Sequence, residues 1–176
     1  ERIRKMVMDI LFCAKERELQ RERVDVRAFL EDVARSVQPV FHSRNVELAC
    51  RFQDELGWFE VDPGMLRSAL VNLLENAAEA CAAEGSAKAY RTVFSAEANA
   101  GAVGFLVEDN GIGMTPEQLK NLFTVFFSTK GSKGTGLGLF ITDKIIRQHG
   151  GSITVDSAAG RGARFGIMIP RRAPNS

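Results

Sequence analysis

The chain has 176 residues, of which 45% are hydrophobic and 26% are charged, and its net charge is +1. This is the composition of a globular domain and excludes an intrinsically disordered chain. The near-neutral charge gives no basic footprint for nucleic acid, and no apolar run is long enough to span a membrane. We therefore predict neither a nucleic-acid partner nor direct membrane contact for this chain.

The cysteines are odd in number and far apart: Cys13, Cys50 and Cys81. Their spacing fits neither a disulfide framework nor a zinc site. We expect small buried side chains in a reducing, cytoplasmic compartment. Because the sequence begins with Glu1, we also expect it to be a piece of a longer protein.

Residues 1–23 predict an amphipathic helix that ends in a charged, linker-like run. Its apolar residues recur at spacings of four and three, with charges on the other side. They are Ile3, Val7, Ile10 and Ala14. Such a seam requires a partner helix. Two interpretations stay open: half of a helical hairpin or dimer contact, or a helix docked on its own domain.

Residues 24–82 predict a helix, two strands and a second helix. The first helix follows Asp25, a suitable N-cap. "VELACRF" alternates like a strand with one buried face, and "WFEVD" reads as short and extended. Pro63, at a first helical position, opens the helix that carries "NLLENAAEAC".

The remaining elements, to residue 170, also mix strands and helices. "AYRTVFSAEA" and "AVGFLVEDN" predict strands joined by a turn, and "TPEQLKNLF" predicts a short helix capped by Thr115. After the loop "FFSTKGSKGTG" come a helix closed by Gly150 and Gly151, a hairpin and the polar tail 171–176. Without a strict βαβ repeat, this order predicts an α+β two-layer sandwich, a mixed sheet with helices on one face.

Two asparagines, Asn72 and Asn76, lie four positions apart in the predicted helix "NLLENAAEAC". Asparagine is a poor helix former, and positions i and i+4 share one face. Asn76 could offer an oxygen to a hard cation, and Asn72 could bind phosphate or water. Taken alone, the pair is better explained as helix asparagines satisfied by backbone or water.

The string "EDNGIGM" follows a predicted strand. The carboxylate of Asp109 could accept a hydrogen bond from an exocyclic amine, while Gly111 and Gly113 leave room for a ring. A plain turn is the commoner explanation of such a string.

The loop "KGSKGTGLGLF" packs glycines and lysines directly before a helix. Backbone N–H groups, lysine charge and the positive helix end suit a polyphosphate. A flexible surface loop explains the loop equally well. It is neither a P-loop nor a dinucleotide fingerprint.

Together and in this order, the three features resemble the GHKL (Bergerat) ATP-binding fold, and within it the catalytic domain of bacterial sensor histidine kinases. "NLLENAAEA" looks like the N box of that family, "DNGIGM" its G1 box, "FFSTK" its F box and "GTGLGL" its G2 box. The resemblance covers roughly residues 24–170. The subgroup it suggests resembles nitrogen-regulation and dicarboxylate-sensing kinases.

The resemblance implies ATP and Mg²⁺ as ligands. Asn76 would hold the metal, and Asn72 would act near the phosphates or the metal's waters. Asp109 would bind the adenine amine, with Gly111 and Gly113 beside the ring. The lid and the phosphate contacts would come from Phe126, Phe127, Lys130, Lys133, Gly134, Thr135, Gly136, Leu137 and Gly138, with Lys130 or Lys133 reaching the γ-phosphate. The catalytic residues would be Asn72 and Lys130.

The sequence departs from the family pattern at two positions. Glu79 stands where many sensor kinases have a basic residue, and Ala163 stands where a threonine is frequent near the adenine. Asn72 occupies the position at which hydrolytic members carry a water-activating glutamate. An amide cannot act as a general base, which disfavours hydrolysis and favours phosphoryl transfer.

The resemblance thus implies transfer of the γ-phosphoryl of ATP to a histidine, with a response regulator downstream. A hydrolytic ATPase, a nucleotide-binding module without turnover, and the related serine and dehydrogenase kinases stay open as alternatives. Neither His42 nor His149 matches an acceptor motif. Residues 1–23 resemble the second helix of the dimerisation hairpin, so we expect the acceptor helix to be absent and self-phosphorylation by this chain to be lost. The whole protein is expected to be a homodimer, either cytoplasmic or with this part on the cytoplasmic side of a membrane-bound sensor.

Overall fold

The computed structural model describes residues 18–82, 89–125, 127 and 136–172. The predicted opening helix therefore lies almost entirely outside the described residues. The elements in chain order are β1 (Glu22–Asp25), α1 (Val26–Ser43), β2 (Glu47–Phe52), β3 (Trp58–Val61), α2 (Pro63–Ala82), β4 (Arg91–Ala98), β5 (Ala102–Asp109), α3 (Pro116–Asn121), α4 (Gly138–Gln148), β6 (Ser152–Ser157) and β7 (Ala163–Pro170).

Five strands form one mixed sheet in the order β2-β4-β5-β7-β6. β2 runs parallel to β4, and every other neighbouring pair is antiparallel. Helices cover one face of this sheet, and the core lies between the two layers. The predicted α+β sandwich with a mixed sheet is confirmed.

Local sequence explains where the helices begin. The side chain of Asp25 accepts a hydrogen bond from the N–H of Ala28 at 2.8 Å, which caps α1 as predicted. Thr115 and Gln118 form a reciprocal capping box at the start of α3. None of the helices in the described part of the chain is long and apolar enough to cross a membrane.

Two local expectations were wrong. The charged run interpreted as a linker up to Arg23 includes the first half of β1, which pairs antiparallel with β3 in a separate two-stranded ribbon. Val24 is the one apolar residue of β1, so its sequence carries no alternation to reveal a strand. Cys50 is exposed, because β2 is an edge strand with no neighbour on its outer side, whereas Cys81 is buried as expected.

Candidate functional site

Helix α2 turns two different faces to the core and to the site. Leu73, Leu74 and Ala77 are at most 4% exposed and pack in the core. Asn72 and Asn76 are both only half-buried, and their i, i+4 spacing places them one turn apart on one side of the helix. The apolar residues thus anchor the helix, while the two amides lie on a partly exposed side of it.

Asn72 is also the contact between α2 and the start of α4. Its Nδ2 donates a hydrogen bond to Oγ1 of Thr142 at 3.1 Å. A Cβ atom at Gly138 would lie 2.6 Å from Oδ1 of Asn72, so glycine lets the first turn of α4 approach the amide closely. The first-turn N–H groups of α4 donate no hydrogen bond to the side chain of the N-cap residue, Leu137. This end of α4 is therefore a positive helix terminus beside an amide.

Asp109 ends β5 and is 6% exposed. Its Oδ1 accepts a hydrogen bond from the N–H of Gly111 at 2.9 Å, which holds the carboxylate at the strand end. Its direct cross-strand neighbours are Thr92 on β4 and Ala163 on β7. The carboxylate therefore lies in the layer between the sheet and the helices, with its position set by a backbone donor.

The two glycines after Asp109 are required by close backbone packing. A Cβ at Gly111 would lie 2.5 Å from the carbonyl carbon of Ala80 on α2. Gly113 has φ +64°, and a Cβ there would lie 2.0 Å from the carbonyl oxygen of Ala158. The turn is thus clamped between α2 and the β6–β7 hairpin.

Some residues near this turn have structural partners. The side chain of Asn110 accepts from the N–H of Arg91 at 2.8 Å and donates to the carbonyl of Ala89 at 3.0 Å, so it fastens the start of β4. Glu79, which stands where many sensor kinases are basic, lies 3.3 Å from Arg44. Its charge is thereby partly balanced within the protein.

His149 lies at the end of α4 and is fully buried. Its Nε2 accepts the N–H of Asp62 at 3.0 Å, and its Nδ1 lies 2.8 Å from the carbonyl oxygen of Ile145. Burial lowers the pKa of His149 below its ordinary value, against the opposing effect of the Ile145 hydrogen bond. The residue packs at the helix end, as expected, and is not presented as a phosphoryl acceptor.

The predicted site residues divide into two groups. Asn72, Asn76, Asp109, Gly111, Gly113, Gly136, Leu137 and Gly138 are described, and Gly136 has φ +66°. Phe127 is described and half-buried. Outside the described residues lie Phe126, Lys130, Lys133, Gly134 and Thr135.

Sequence reasoning missed two polar residues of the site. Thr142 lies one turn into α4, four residues after Gly138. This spacing places the two residues on the same helix face and was the signal that the sequence offered. Thr92 lies on β4, whose sequence shows only the alternation of an ordinary strand. Thr92 is distinguished only by the sheet register, which places it opposite Asp109.

The family relationship is clear from comparisons with known proteins. Residues 61–173 match the family described as histidine kinase-, DNA gyrase B-, and HSP90-like ATPase. The chain is 36% identical over 170 residues to the sensor histidine kinase ZraS of Klebsiella oxytoca, covering 97% of this chain and 36% of that protein. It is 33% identical over 168 residues to the histidine-protein kinase AtoS of Escherichia coli K12, covering 96% of this chain and 27% of that protein. The chain thus spans about a third of the length of these relatives.

Solved structures show the same fold. Full-length ShkA in complex with AMPPNP superposes with a TM-score of 0.83 at 29% identity, covering 98% of this chain and 36% of that one. The nucleotide-free catalytic domain of histidine kinase ThkA has a TM-score of 0.74 at 26% identity, covering 87% of this chain and 99% of that one. Both the motifs and the architecture of this chain therefore place it in the family of histidine kinase-, DNA gyrase B- and HSP90-like ATPases, to which it belongs.

Proposed function

We propose that this chain is the ATP-binding catalytic domain of a sensor histidine kinase. It transfers the γ-phosphoryl group of Mg-ATP to a histidine on the dimerisation hairpin of the whole protein. In this reaction an acceptor imidazole nitrogen forms a bond to the γ-phosphorus, the bond to the β–γ bridging oxygen breaks, and ADP leaves. The likeness to sensor kinases such as ZraS supports this reading.

The observation that carries the proposal is the placement of Asn72. An amide, already hydrogen-bonded to Thr142 at 3.1 Å, lies against the N-terminal turn of α4. An amide cannot take a proton from water at this position, whereas it can donate to phosphate oxygens. The site is therefore suited to holding ATP for transfer, and hydrolysis is the second candidate.

The other described residues of the site contact either the adenine base of ATP or its phosphates in this proposal. Asp109 accepts the exocyclic amine of adenine, with the backbone of Gly111 and Gly113 beside the ring. The first turn of α4, at Gly138, presents N–H groups to the phosphates. By family resemblance, Lys130 or Lys133 reaches the γ-phosphate and Phe126 packs the near end of the lid. Lys130 gains importance because Glu79 brings no positive charge.

The side chains that the site offers as metal ligands fit Mg²⁺. No group of three or more His, Cys, Asp or Glu side chains in the described ranges could enclose an ion. Magnesium bound with a nucleotide keeps several waters and takes few protein ligands. The amide oxygen of Asn76 suits this role. The ion, when bound, neutralises charge on the phosphate oxygens.

The partners follow from the same likeness. Histidine kinase ThkA has been solved in complex with the response regulator protein TrrA. We propose that the phosphoryl group received by the hairpin passes on to a response regulator that binds this protein.

A reconstitution experiment distinguishes phosphoryl transfer to the hairpin from ATP hydrolysis and from nucleotide binding without turnover. The chain is mixed with γ-labelled Mg-ATP and the separately produced acceptor hairpin of the full-length protein, and labelled hairpin is measured. We expect acid-labile, base-stable phosphate on the hairpin. A hairpin whose acceptor histidine is replaced by glutamine is the matched control and stays unlabelled.

Two results would contradict the proposal. Tight ATP binding without transfer would favour a nucleotide-binding module. Steady release of inorganic phosphate in the absence of hairpin would favour the hydrolytic ATPase.

A further inference from the structure

Thr92 is a buried polar residue without an evident structural purpose. Its side chain is 0% exposed, and its Oγ1 has no hydrogen-bond partner among the described residues. A buried hydroxyl without a partner costs free energy, so it calls for an explanation. Valine, of nearly the same shape, would fill the same space without this cost.

The sheet register places Thr92 beside the adenine-binding carboxylate. Thr92 lies directly opposite Asp109 in the β4–β5 pair. Directly opposed residues project from the same face of a sheet. The burial of β4 alternates, with Thr92, Phe94 and Ala96 facing the helix layer. The hydroxyl therefore lies in the same layer as the carboxylate of Asp109.

The other neighbour of Asp109 cannot assist it. Ala163 lies opposite Asp109 on β7 and carries no hydrogen-bonding side chain. One carboxylate oxygen of Asp109 already accepts from the N–H of Gly111. A carboxylate has about four acceptor positions, so it can accept a backbone N–H, a further donor and the adenine amine together.

We propose that Thr92 is a positioning residue for adenine recognition. Its hydroxyl, through one bridging water, holds the carboxylate of Asp109 in the orientation that accepts the exocyclic amine. This inference rests on the proposed function, because it requires ATP to bind at Asp109. In related proteins a threonine is frequent at the position of Ala163, on the other side of Asp109. In this chain the hydroxyl of Thr92 takes over the orienting role that such a threonine could fill.

The test compares Thr92→Val with Thr92→Ser on two nucleotides. One is Mg-ATP. The other is Mg-bound purine riboside triphosphate, which lacks the exocyclic amine and so cannot use Asp109. Dissociation constants are measured by calorimetry, and the midpoint of thermal unfolding is measured without nucleotide.

We expect Thr92→Val to weaken ATP binding about tenfold, the loss typical of a hydrogen bond to a charged group. Binding of purine riboside triphosphate should change less than about twofold, since discrimination of the amine is what the hydroxyl supports. Thr92→Ser should bind ATP like wild type. The unfolding midpoint of Thr92→Val should equal or exceed that of wild type, because the variant removes a buried hydroxyl.

Three results would overturn the inference. Equal weakening of both nucleotides together with a lower unfolding midpoint would mean a purely structural role for Thr92. Unchanged ATP affinity in Thr92→Val would remove the role altogether, while leaving the proposed function intact. Failure of wild type to bind ATP would refute the proposed function and the inference with it.

Discussion

The side-chain amide of Asn72 donates to Oγ1 of Thr142 at 3.1 Å, which joins α2 to α4 at the proposed phosphate site. Thr142 is only 1% exposed, so its hydroxyl is a fixed acceptor. The bond sets which end of the amide faces Thr142 and leaves Oδ1 on the side of Gly138. The orientation of a proposed active-site residue is thus determined by a buried hydroxyl on the neighbouring helix.

Replacing Thr142 with valine should release this orientation. The amide of Asn72 loses its acceptor, so we expect Mg-ATP affinity to fall by about three- to tenfold, the loss of one hydrogen bond. Thr142→Ser keeps the hydroxyl and should bind like wild type. Calorimetric titration measures both. Equal affinities for the valine variant and wild type would show that the bond has no functional role.

Gly138→Ala should weaken nucleotide binding more than it changes the stability of the fold. Alanine is the better helix former, but its Cβ would lie 2.6 Å from Oδ1 of Asn72 and must displace that flexible side chain. We expect the free energy of unfolding to change by less than about 1 kcal/mol while ATP affinity falls.

A double-mutant cycle checks the cause. In an Asn72→Ala background, Gly138→Ala should cost no further affinity, because the displaced group is gone. An additive loss would mean that the alanine disturbs the phosphate site by another route.

Gly113→Ala should destabilise the domain itself. Its φ of +64° disfavours alanine, and the added Cβ would lie 2.0 Å from the carbonyl oxygen of Ala158. Gly160 is the matched control: its φ is +76°, but nothing lies within 4 Å of an added Cβ. Gly160→Ala should therefore cost about 1–2 kcal/mol, the left-handed penalty alone. Gly113→Ala should cost distinctly more in urea unfolding; equal costs would contradict the tight packing at Gly113.

Asp109→Asn tests adenine recognition with little change of shape. The amide oxygen can still accept the N–H of Gly111, but the charge that we propose attracts the adenine amine is lost. We expect ATP affinity to fall by at least about tenfold. Glu108→Gln is the control, because Glu108 is exposed and pairs with Arg164 at 3.6 Å. Similar affinities for the two variants would remove Asp109 from the site.

Most of the fold and the known motifs could be predicted from the sequence because each carries a local signal. Pro63, Asp25 and Thr115 mark helix starts through chain geometry and capping, and the apolar alternation of β4 and β5 marks a half-buried sheet. Such signals depend on neighbours within a few residues. They were therefore visible without any knowledge of the tertiary structure.

The features that could not be predicted all depend on contacts distant in sequence. Thr142 acquires its role only through Asn72, which is 70 residues away. Thr92 becomes distinctive only through its register with Asp109, and the exposure of Cys50 follows from the edge position of β2. Register and strand order are set by the packing of the whole domain, which a single sequence does not display.

The buried His149 should make the free energy of unfolding of the domain depend on pH. Its Nε2 accepts the N–H of Asp62, so a proton on Nε2 would place two N–H groups against each other. Burial accordingly lowers the pKa of His149 in the folded chain. The unfolded chain then binds more protons than the folded one below the ordinary histidine pKa of about 6.5. The free energy of unfolding should be fully retained above that pH and fall as the pH drops below it toward the lowered folded pKa.

Urea unfolding between about pH 5.5 and pH 8, on either side of the ordinary histidine pKa, measures this effect. His149→Gln should be less stable than wild type at pH 8, because glutamine does not fill the space of the fully buried ring. Its stability should vary less with pH, because glutamine does not titrate. His42→Gln replaces the exposed histidine and should keep the wild-type pH dependence. If His42→Gln flattened the pH dependence and His149→Gln preserved it, the titrating group would be at the surface. The Asp62–His149 contact, which ties the start of α2 to the end of α4, would then be insensitive to protonation.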